Sequence, residues 1–145
     1  MRRFFPTFIS GWGAAALLLV RIVIGVAFIL HGWPKIQNPT SWMNAMGGQG
    51  VPSFLQAVAA LAEFGGGIAL ILGLLTPLAA LGIVFQMLAA LFLVHFPRGD
   101  AFVATGGPSY ELPLVYLVLA VLLLVLGPGR WSLDALLFGR STTAV

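Results

Sequence analysis

Long apolar runs alternate with short polar breaks along this chain, and four of the runs are long enough to form membrane-spanning helices. About 20 apolar residues suffice for a helix to cross the hydrocarbon core of a bilayer. The four runs are 14–33, 53–75, 76–96 and 110–126. Their lengths, and the short connections between them, predict an all-α integral membrane four-helix bundle.

Residues typical of helix ends mark the limits of these runs. Pro34 is expected to end the first helix, because proline disfavours helical geometry in the residue before it. Ser53 followed by Gln56 three positions later has the pattern of a capping box at the start of the second helix. Thr76 followed by a proline predicts a cap and a first helical position, so the third helix should start there. The sequence "GPG" after residue 126 ends the fourth helix.

Two shorter segments outside the spans also have helical character. The tail "WSLDALLF" (131–138) offers Ser132 as a cap and leucines at helical spacing. It is too short to cross a bilayer, so we expect a C-terminal helix that lies on the surface. In the first outer loop, Trp42, Met43 and Met46 predict a short interfacial or re-entrant segment.

The composition leads to the same class of protein. Of the 145 residues, 60% are hydrophobic and 8% are charged, whereas about a quarter of the residues in a soluble domain are charged. Residues 1–145 are therefore expected to form one multi-pass membrane domain with no separate soluble part. The net charge of +3 comes from basic residues scattered between the spans, so nucleic acid is not an expected partner.

The basic residues predict how the bundle is oriented. Lys35 and Arg98 fall on one side of the membrane, and the larger group on the other consists of Arg2, Arg3, Arg130 and Arg140. Basic residues collect on the cytoplasmic side, so both termini are expected in the cytoplasm and the protein in the inner (plasma) membrane. The first helix has the length of a full span without a following cleavage site, which predicts that it is retained rather than removed as a signal peptide.

The chain contains no cysteine. This excludes a disulfide framework, a thiol nucleophile, a Cys-X-X-Cys redox pair and an iron–sulfur cluster held by this chain alone.

A carboxylate inside the second span is the first candidate for chemistry. Glu63 should lie at a depth similar to that of Arg21 on span one and Gln86 on span three, given a rise of 1.5 Å per residue. An unpaired charge at mid-bilayer costs about 3 kcal/mol on insertion scales. We therefore expect an Arg21–Glu63 ion pair, with Gln86 as a further hydrogen-bonding partner. Such a pair either fixes which helices meet or belongs to a ligand site, and the sequence leaves both interpretations open.

A second polar layer is expected nearer the outer surface. His31 ends span one, His95 ends span three, Glu111 opens span four, and Lys35 lies close by in sequence. Such residues are either ordinary interface anchors or the lining of a small outward-facing pocket that exchanges protons with a quinone headgroup. In the second interpretation spans one, two and four line the pocket, with His31 and Glu111 near its mouth. Two histidines alone are a weak basis for haem or a metal, so no metal site is predicted.

Three motifs together resemble the DoxX family. They are "HGWPK" after the first span, "AEFGGGIALILGLLTPLAA" in the second and "GPGRWSLDALLFGR" at the end, and the resemblance runs from about Leu17 to Arg140. The matching positions are His31, Gly32, Lys35, Glu63, Gly127, Pro128, Gly129, Arg130 and Asp134. The resemblance implies a four-helix membrane protein of bacteria and archaea. Members are called DoxX or DoxD-like after a subunit of a thiosulfate:quinone oxidoreductase, and others are linked to redox-stress complexes or quinone resistance. The resemblance assigns a catalytic role to none of these residues.

The leading functional hypothesis is a quinone-linked or redox-associated membrane subunit. Its predicted ligand-binding residues are Arg21, His31, Lys35, Glu63, Gln86, His95 and Glu111. No covalent cofactor is expected; a quinone is the candidate ligand, and the electron chemistry would come from it or from a redox partner protein. The alternatives are a non-enzymatic protein that binds or transports a small metabolite or lipid, in which case a homo-oligomer is expected, and a membrane scaffold for a partner enzyme.

Overall fold

The computed structural model describes residues 8–45 and 50–139, and within these residues the chain is helical with no strand. The helices are α1 (Trp12–Gln37), α2 (Trp42–Ala45), α3 (Ser53–Leu72), α4 (Thr76–Ala90), α5 (Phe96–Arg98), α6 (Glu111–Leu126) and α7 (Leu133–Phe138). A π-helical turn, Leu91–His95, joins α4 to α5, so Thr76–Arg98 forms one continuous span. Three helices are long and apolar enough to cross a membrane, and α6 is a shorter apolar helix. The predicted all-α membrane bundle is confirmed. Arg2, Arg3, Met46 and Arg140 lie outside the described residues, and the orientation of the termini stays a prediction.

The helices pack in the order α1, α3, α4 and α6. We call the end that carries the tight α3–α4 turn the hairpin end, and the opposite end, which carries α2 and the loop after α5, the loop end. All four long helices contribute to one apolar core. Its buried members are Leu17, Ile24, Phe28, Leu70, Ala80, Ile83, Ala120 and Leu123.

The α1–α3 contact brings two backbones together. A Cβ atom on Gly25 would lie 2.6 Å from the carbonyl oxygen of Gly67, and a Cβ on Gly67 would lie 2.7 Å from the carbonyl oxygen of Gly25. Only glycine fits at either position, since such distances are shorter than any van der Waals contact. Small residues at helix contacts are typical of bundles in lipid, where close packing drives association.

Large apolar side chains cover the outside of the bundle. Phe85, Leu93 and Val125 are 65%, 76% and 68% exposed, and residues of this kind occur on every long helix. A water-soluble monomer rarely exposes continuous apolar surface on this scale. The surface is therefore one that lipid chains cover, and the bilayer is a partner of this protein.

Three predictions about helix starts and ends were wrong. α1 continues through Pro34 to Gln37, because a proline in the last turn removes only a hydrogen bond near the frayed end of the helix. Ser53 and Gln56 form no capping box: α3 has no side-chain cap, and the Gln56 side chain bonds to the preceding loop instead. Thr76 is the first residue of α4 rather than its cap.

The two short helices that the sequence predicted are both present. α2 covers Trp42 and Met43, and α7 begins after Ser132, whose Oγ accepts a hydrogen bond from the Ala135 amide at 3.1 Å. α7 exposes Leu136 and Leu137, as expected for a helix at a membrane surface.

Candidate functional site

Glu63 joins three helices on the loop-end side of α3. Its Oε1 atom forms an ion pair with Lys35 Nζ from α1 and accepts a hydrogen bond from Gln86 Nε2 of α4 at 2.6 Å. The Glu63 side chain is 6% exposed and that of Lys35 is 20% exposed. We call Lys35, Glu63 and Gln86 the Glu63 cluster. It is a mostly buried charged group at the place where α1, α3 and α4 meet.

The predicted contact between Glu63 and Gln86 is confirmed, but the predicted Arg21–Glu63 pair is wrong. Arg21 Nη2 donates to the carbonyl oxygen of Trp131, and Nη1 lies 3.5 Å from that of Leu70. Arg21 is therefore committed to the hairpin end. Lys35 takes its place beside Glu63, because the extra turn of α1 beyond Pro34 carries Lys35 on the helix rather than in a loop.

Arg21 belongs to a second polar group, which holds the hairpin end together. The Asp134 carboxylate of α7 accepts hydrogen bonds from the amides of Leu75 at 2.7 Å and Thr76 at 2.8 Å. It thereby caps the N-terminus of α4, where free amides and the helix dipole both favour an anion. The Asp134 amide in turn donates to the Gly73 carbonyl at 2.8 Å. Arg21, Gly73, Trp131 and Asp134 form what we call the hairpin knot.

Gly73 is a glycine for reasons of both backbone and space. Its φ is +64°, and a Cβ atom there would lie 1.8 Å from Arg21 Nη1 and 2.5 Å from Ser132 Cβ. The guanidinium can reach the end of α3 only because this position has no side chain. Arg21 is fully buried and Asp134 nearly so, and their contacts are those of residues that fix the fold.

The short helix α2 covers the Glu63 cluster. Lys35 Nζ lies 4.5 Å from the centre of the Trp42 ring, within the range of a cation–π contact. Trp42 Nε1 donates to the Gln56 carbonyl at 2.9 Å, and the Gln56 side chain accepts from the Met43 amide at 3.0 Å and donates to the Val51 carbonyl at 2.9 Å. Gln56 is 1% exposed. This polar residue in an apolar run was available to sequence reasoning, but its role in anchoring α2 was missed.

His95 lies in a separate cluster at the loop end. Its Nδ1 is 2.7 Å from Asp100 Oδ2, which also accepts from Arg98 Nη2 at 2.7 Å. The hydrogen bond from Arg98, followed by the one from His95, holds the pKa of the Asp100 carboxyl below its ordinary value. His95 and Arg98 are thus committed to Asp100, and the cluster closes the turn after α5.

His31 and Glu111 do not join either cluster. Glu111 is exposed at the start of α6, and its carboxylate contacts no polar group of the residues that the structure describes. His31 lines a cleft of about 130 Å³ between α1, α4 and α6. The lining residues are Phe28, His31, Met87, Leu112, Pro113 and Tyr116.

This cleft differs from the predicted pocket in its walls. The prediction placed spans one, two and four around it, whereas the lining comes from spans one, three and four. α3 packs closely on α1 at Gly25 and Gly67. Phe28 and Tyr116 meet edge to face across the cleft, with ring centres 5.3 Å apart. His31 is among the residues that line this cleft, and Glu111 is not.

The described residues contain no group of three histidine, cysteine or acidic side chains that could hold a metal ion. Two buried acceptor atoms of the Glu63 cluster, Glu63 Oε2 and Gln86 Oε1, have no hydrogen-bond partner in the described part of the chain.

Comparison with known proteins gives a family and several relatives. The sequence profile of the DoxX family matches residues 16–96, a segment that contains Arg21 and the whole Glu63 cluster. The inner membrane protein YqjF of Escherichia coli is 33% identical over 124 residues, which cover 83% of this chain and 91% of that protein. An uncharacterised protein of Haemophilus influenzae is 38% identical over 128 residues, covering 86% of this chain and 92% of its own length.

A more distant relative carries a functional name. CatD of Bacillus subtilis, whose name proposes an oxidoreductase, is 31% identical over 77 residues, covering 53% of this chain and 58% of that protein. No solved structure matches the chain.

Proposed function

Because this chain belongs to the DoxX family of membrane proteins, we propose that it is a quinone-linked or redox-associated subunit of the inner membrane. It binds a small ring compound between its helices near the loop end. The name of CatD supports redox chemistry for this group of proteins, and that of YqjF supports the inner membrane. With no cysteine in the chain, the electrons pass through the ligand or through a partner protein.

The observation that carries the proposal is that only one of the two carboxylate oxygens of Glu63 has hydrogen-bond partners among the described residues. A charge inside a membrane helix is expensive and is kept where it serves packing or function. A buried acceptor without a partner costs about 1–3 kcal/mol, and a ligand that donates a hydrogen bond would remove this cost. Among the residues that the structure describes, Oε1 has two partners and Oε2 has none. The cluster is therefore suited to receive a further polar group.

The cleft beside His31 supplies the apolar part of the proposed site. His31 lies one turn before Lys35 on α1, and Met87 directly follows Gln86 on α4, so the cleft and the Glu63 cluster use the same two helices at neighbouring positions. Its volume of about 130 Å³ is close to that of an apolar cavity of about 150 Å³ that holds benzene. In the proposed site a quinone ring lies in this cleft against Phe28 and Tyr116, and its oxygens are directed to the polar side chains.

The test is a binding titration on the protein in lipid nanodiscs. Ubiquinone-1 and a short-chain menaquinone are titrated while tryptophan fluorescence is recorded. We expect His31→Ala to weaken binding at least about tenfold, the loss of roughly one hydrogen bond and its packing. The matched control is His95→Ala, because that histidine is held by Asp100 away from the cleft lining. Absence of binding by the unaltered protein, or equal effects of the two histidine variants, would contradict the proposal.

A further inference from the structure

The Glu63 cluster contains two buried acceptor atoms that receive no hydrogen bond from any residue that the structure describes. Glu63 Oε1 receives both Lys35 Nζ and Gln86 Nε2. Gln86 Nε2 also lies 3.3 Å from the Ala59 carbonyl oxygen, so both of its hydrogens are directed at oxygens. The atoms left over are Glu63 Oε2 and Gln86 Oε1, each buried and without a partner among the described residues.

The direction of the Gln86 amide follows from its neighbours. If the amide were reversed, its oxygen would lie 2.6 Å from Glu63 Oε1 and 3.3 Å from the Ala59 carbonyl oxygen, with acceptors facing acceptors. Only the observed direction makes hydrogen bonds. The free atom of Gln86 is thus an acceptor, like that of Glu63, and a ligand that satisfies the cluster must bring donors.

We propose that the Glu63 cluster selects the hydroxyl-bearing, reduced form of its ring ligand, a quinol, over the corresponding quinone. The inference rests on the proposed function and specifies which redox form the site prefers. A quinol carries O–H donors where a quinone carries carbonyl acceptors. Lys35 and His31 do not offset this difference, because their N–H groups can donate to a quinol hydroxyl oxygen as well as to a quinone carbonyl.

The decisive measurement compares three probes on the unaltered protein in nanodiscs under anaerobic conditions. The probes are ubiquinone-1, ubiquinol-1 and the dimethyl ether of that quinol, which keeps the ring and both oxygens but has no O–H donor. We expect ubiquinol-1 to bind at least about tenfold more tightly than either of the others, since hydrogen bonds to charged acceptors are the stronger kind. A tenfold preference for the reduced form raises the midpoint potential of the bound two-electron couple by about 30 mV.

Two variants connect the preference to the named atoms. Glu63→Gln replaces an acceptor-only group with one that can also donate, and Gln86→Met removes the second acceptor at similar length. In each, the ratio of quinone to quinol dissociation constants should fall to about threefold or less. Glu111→Gln removes an exposed carboxylate and should leave the ratio unchanged. The ratio is informative where a loss of affinity is not, because a merely structural role would weaken both forms together.

The possible outcomes separate a failure of the quinol preference from a failure of the proposed function. Binding of ubiquinol-1 that is no tighter than binding of ubiquinone-1 or of the dimethyl ether overturns the inference while leaving the proposed function intact. A ratio unchanged in both Glu63→Gln and Gln86→Met overturns it as well. Absence of binding by all three probes removes the proposed function and this inference with it. The three-probe comparison needs no variant, so misfolding of a variant cannot hide the result.

Discussion

Replacing Asp134 should loosen the bundle more than replacing any exposed carboxylate. Asp134 accepts two hydrogen bonds from the first amides of α4, at 2.7 and 2.8 Å, and its side chain is almost fully buried. Asp134→Ala leaves both amides without their acceptor at a buried helix start. It also removes the negative charge that acts on the buried Arg21.

The size of the effect follows from these contacts. A hydrogen bond to a charged group contributes about 1.5–3 kcal/mol, and loss of a helix cap costs about 0.5–2 kcal/mol. Two bonds at the low end of the first range, with some further loss at Arg21, give a decrease of about 3–5 kcal/mol in the free energy of unfolding. Asp134→Asn keeps one acceptor oxygen and should lose about 1–2 kcal/mol.

Equilibrium unfolding in mixed detergent micelles, followed by helical circular dichroism, measures these differences. Trp131, within the hairpin knot, gives a second signal through its fluorescence. Glu111→Ala is the matched control, since it removes an exposed carboxylate and should change stability by no more than about 0.5 kcal/mol. A loss below about 1 kcal/mol in Asp134→Ala, or one no larger than in the control, would refute the reasoning.

Three further predictions concern other parts of the fold. Gly73→Ala should lower the melting temperature strongly, because the added Cβ would overlap the arginine of the hairpin knot and because φ at this position is +64°. Gly66→Ala is the control: it has open space around it and should be neutral or mildly stabilising. Equal shifts in melting temperature for the two variants would count against the hairpin knot. Gln56→Leu should release α2 and speed amide hydrogen exchange at 42–45 without unfolding the bundle; unchanged exchange there would show that α2 is held by other contacts. The pKa of Asp100 is depressed in the folded protein, chiefly by the hydrogen bond from Arg98. The ionised carboxylate therefore stabilises the fold fully above the ordinary carboxyl pKa of 3.8, and this stabilisation is lost as the pH falls below that value. Melting curves between about pH 5 and 2.5 should therefore decline less steeply for Asp100→Asn than for the unaltered protein, and parallel declines would contradict the assignment.

The architecture was predictable because it depends on patterns that are local in sequence. Apolar length located the spans, and the tail leucines after Ser132 predicted α7. Glu63 and Gln86 were matched correctly, since their depths can be estimated from a constant rise per residue. Depth does not determine which way a long side chain extends, and this is why Arg21 was assigned to the wrong partner.

The missing information was of two kinds. The partner of Arg21 is a backbone carbonyl, that of Trp131, which lies 110 residues away, and any residue type offers the same carbonyl group. The partner of Glu63 is Lys35, which was placed in a loop because Pro34 was expected to end α1. The one helical turn beyond Pro34 thus determines which basic residue pairs with Glu63. No pattern in the sequence distinguishes a proline that ends a helix from one that the last turn of a helix tolerates.

The cap that Asp134 provides has a consequence for how the protein is made. Asp134 lies 59 residues after Leu75 in the chain, so at about 5–20 residues per second it is synthesised roughly 3–12 seconds after the turn that it caps. During this interval the first three spans can enter the bilayer, but the amides at the start of α4 lack the Asp134 carboxylate and Arg21 lacks the Trp131 carbonyl. A segment that is synthesised later therefore completes the assembly of the segments inserted before it. A chain that stops before Ser132 would insert its spans but would lack the contacts of the hairpin knot. Cellular quality control could recognise such a chain by the uncapped start of α4.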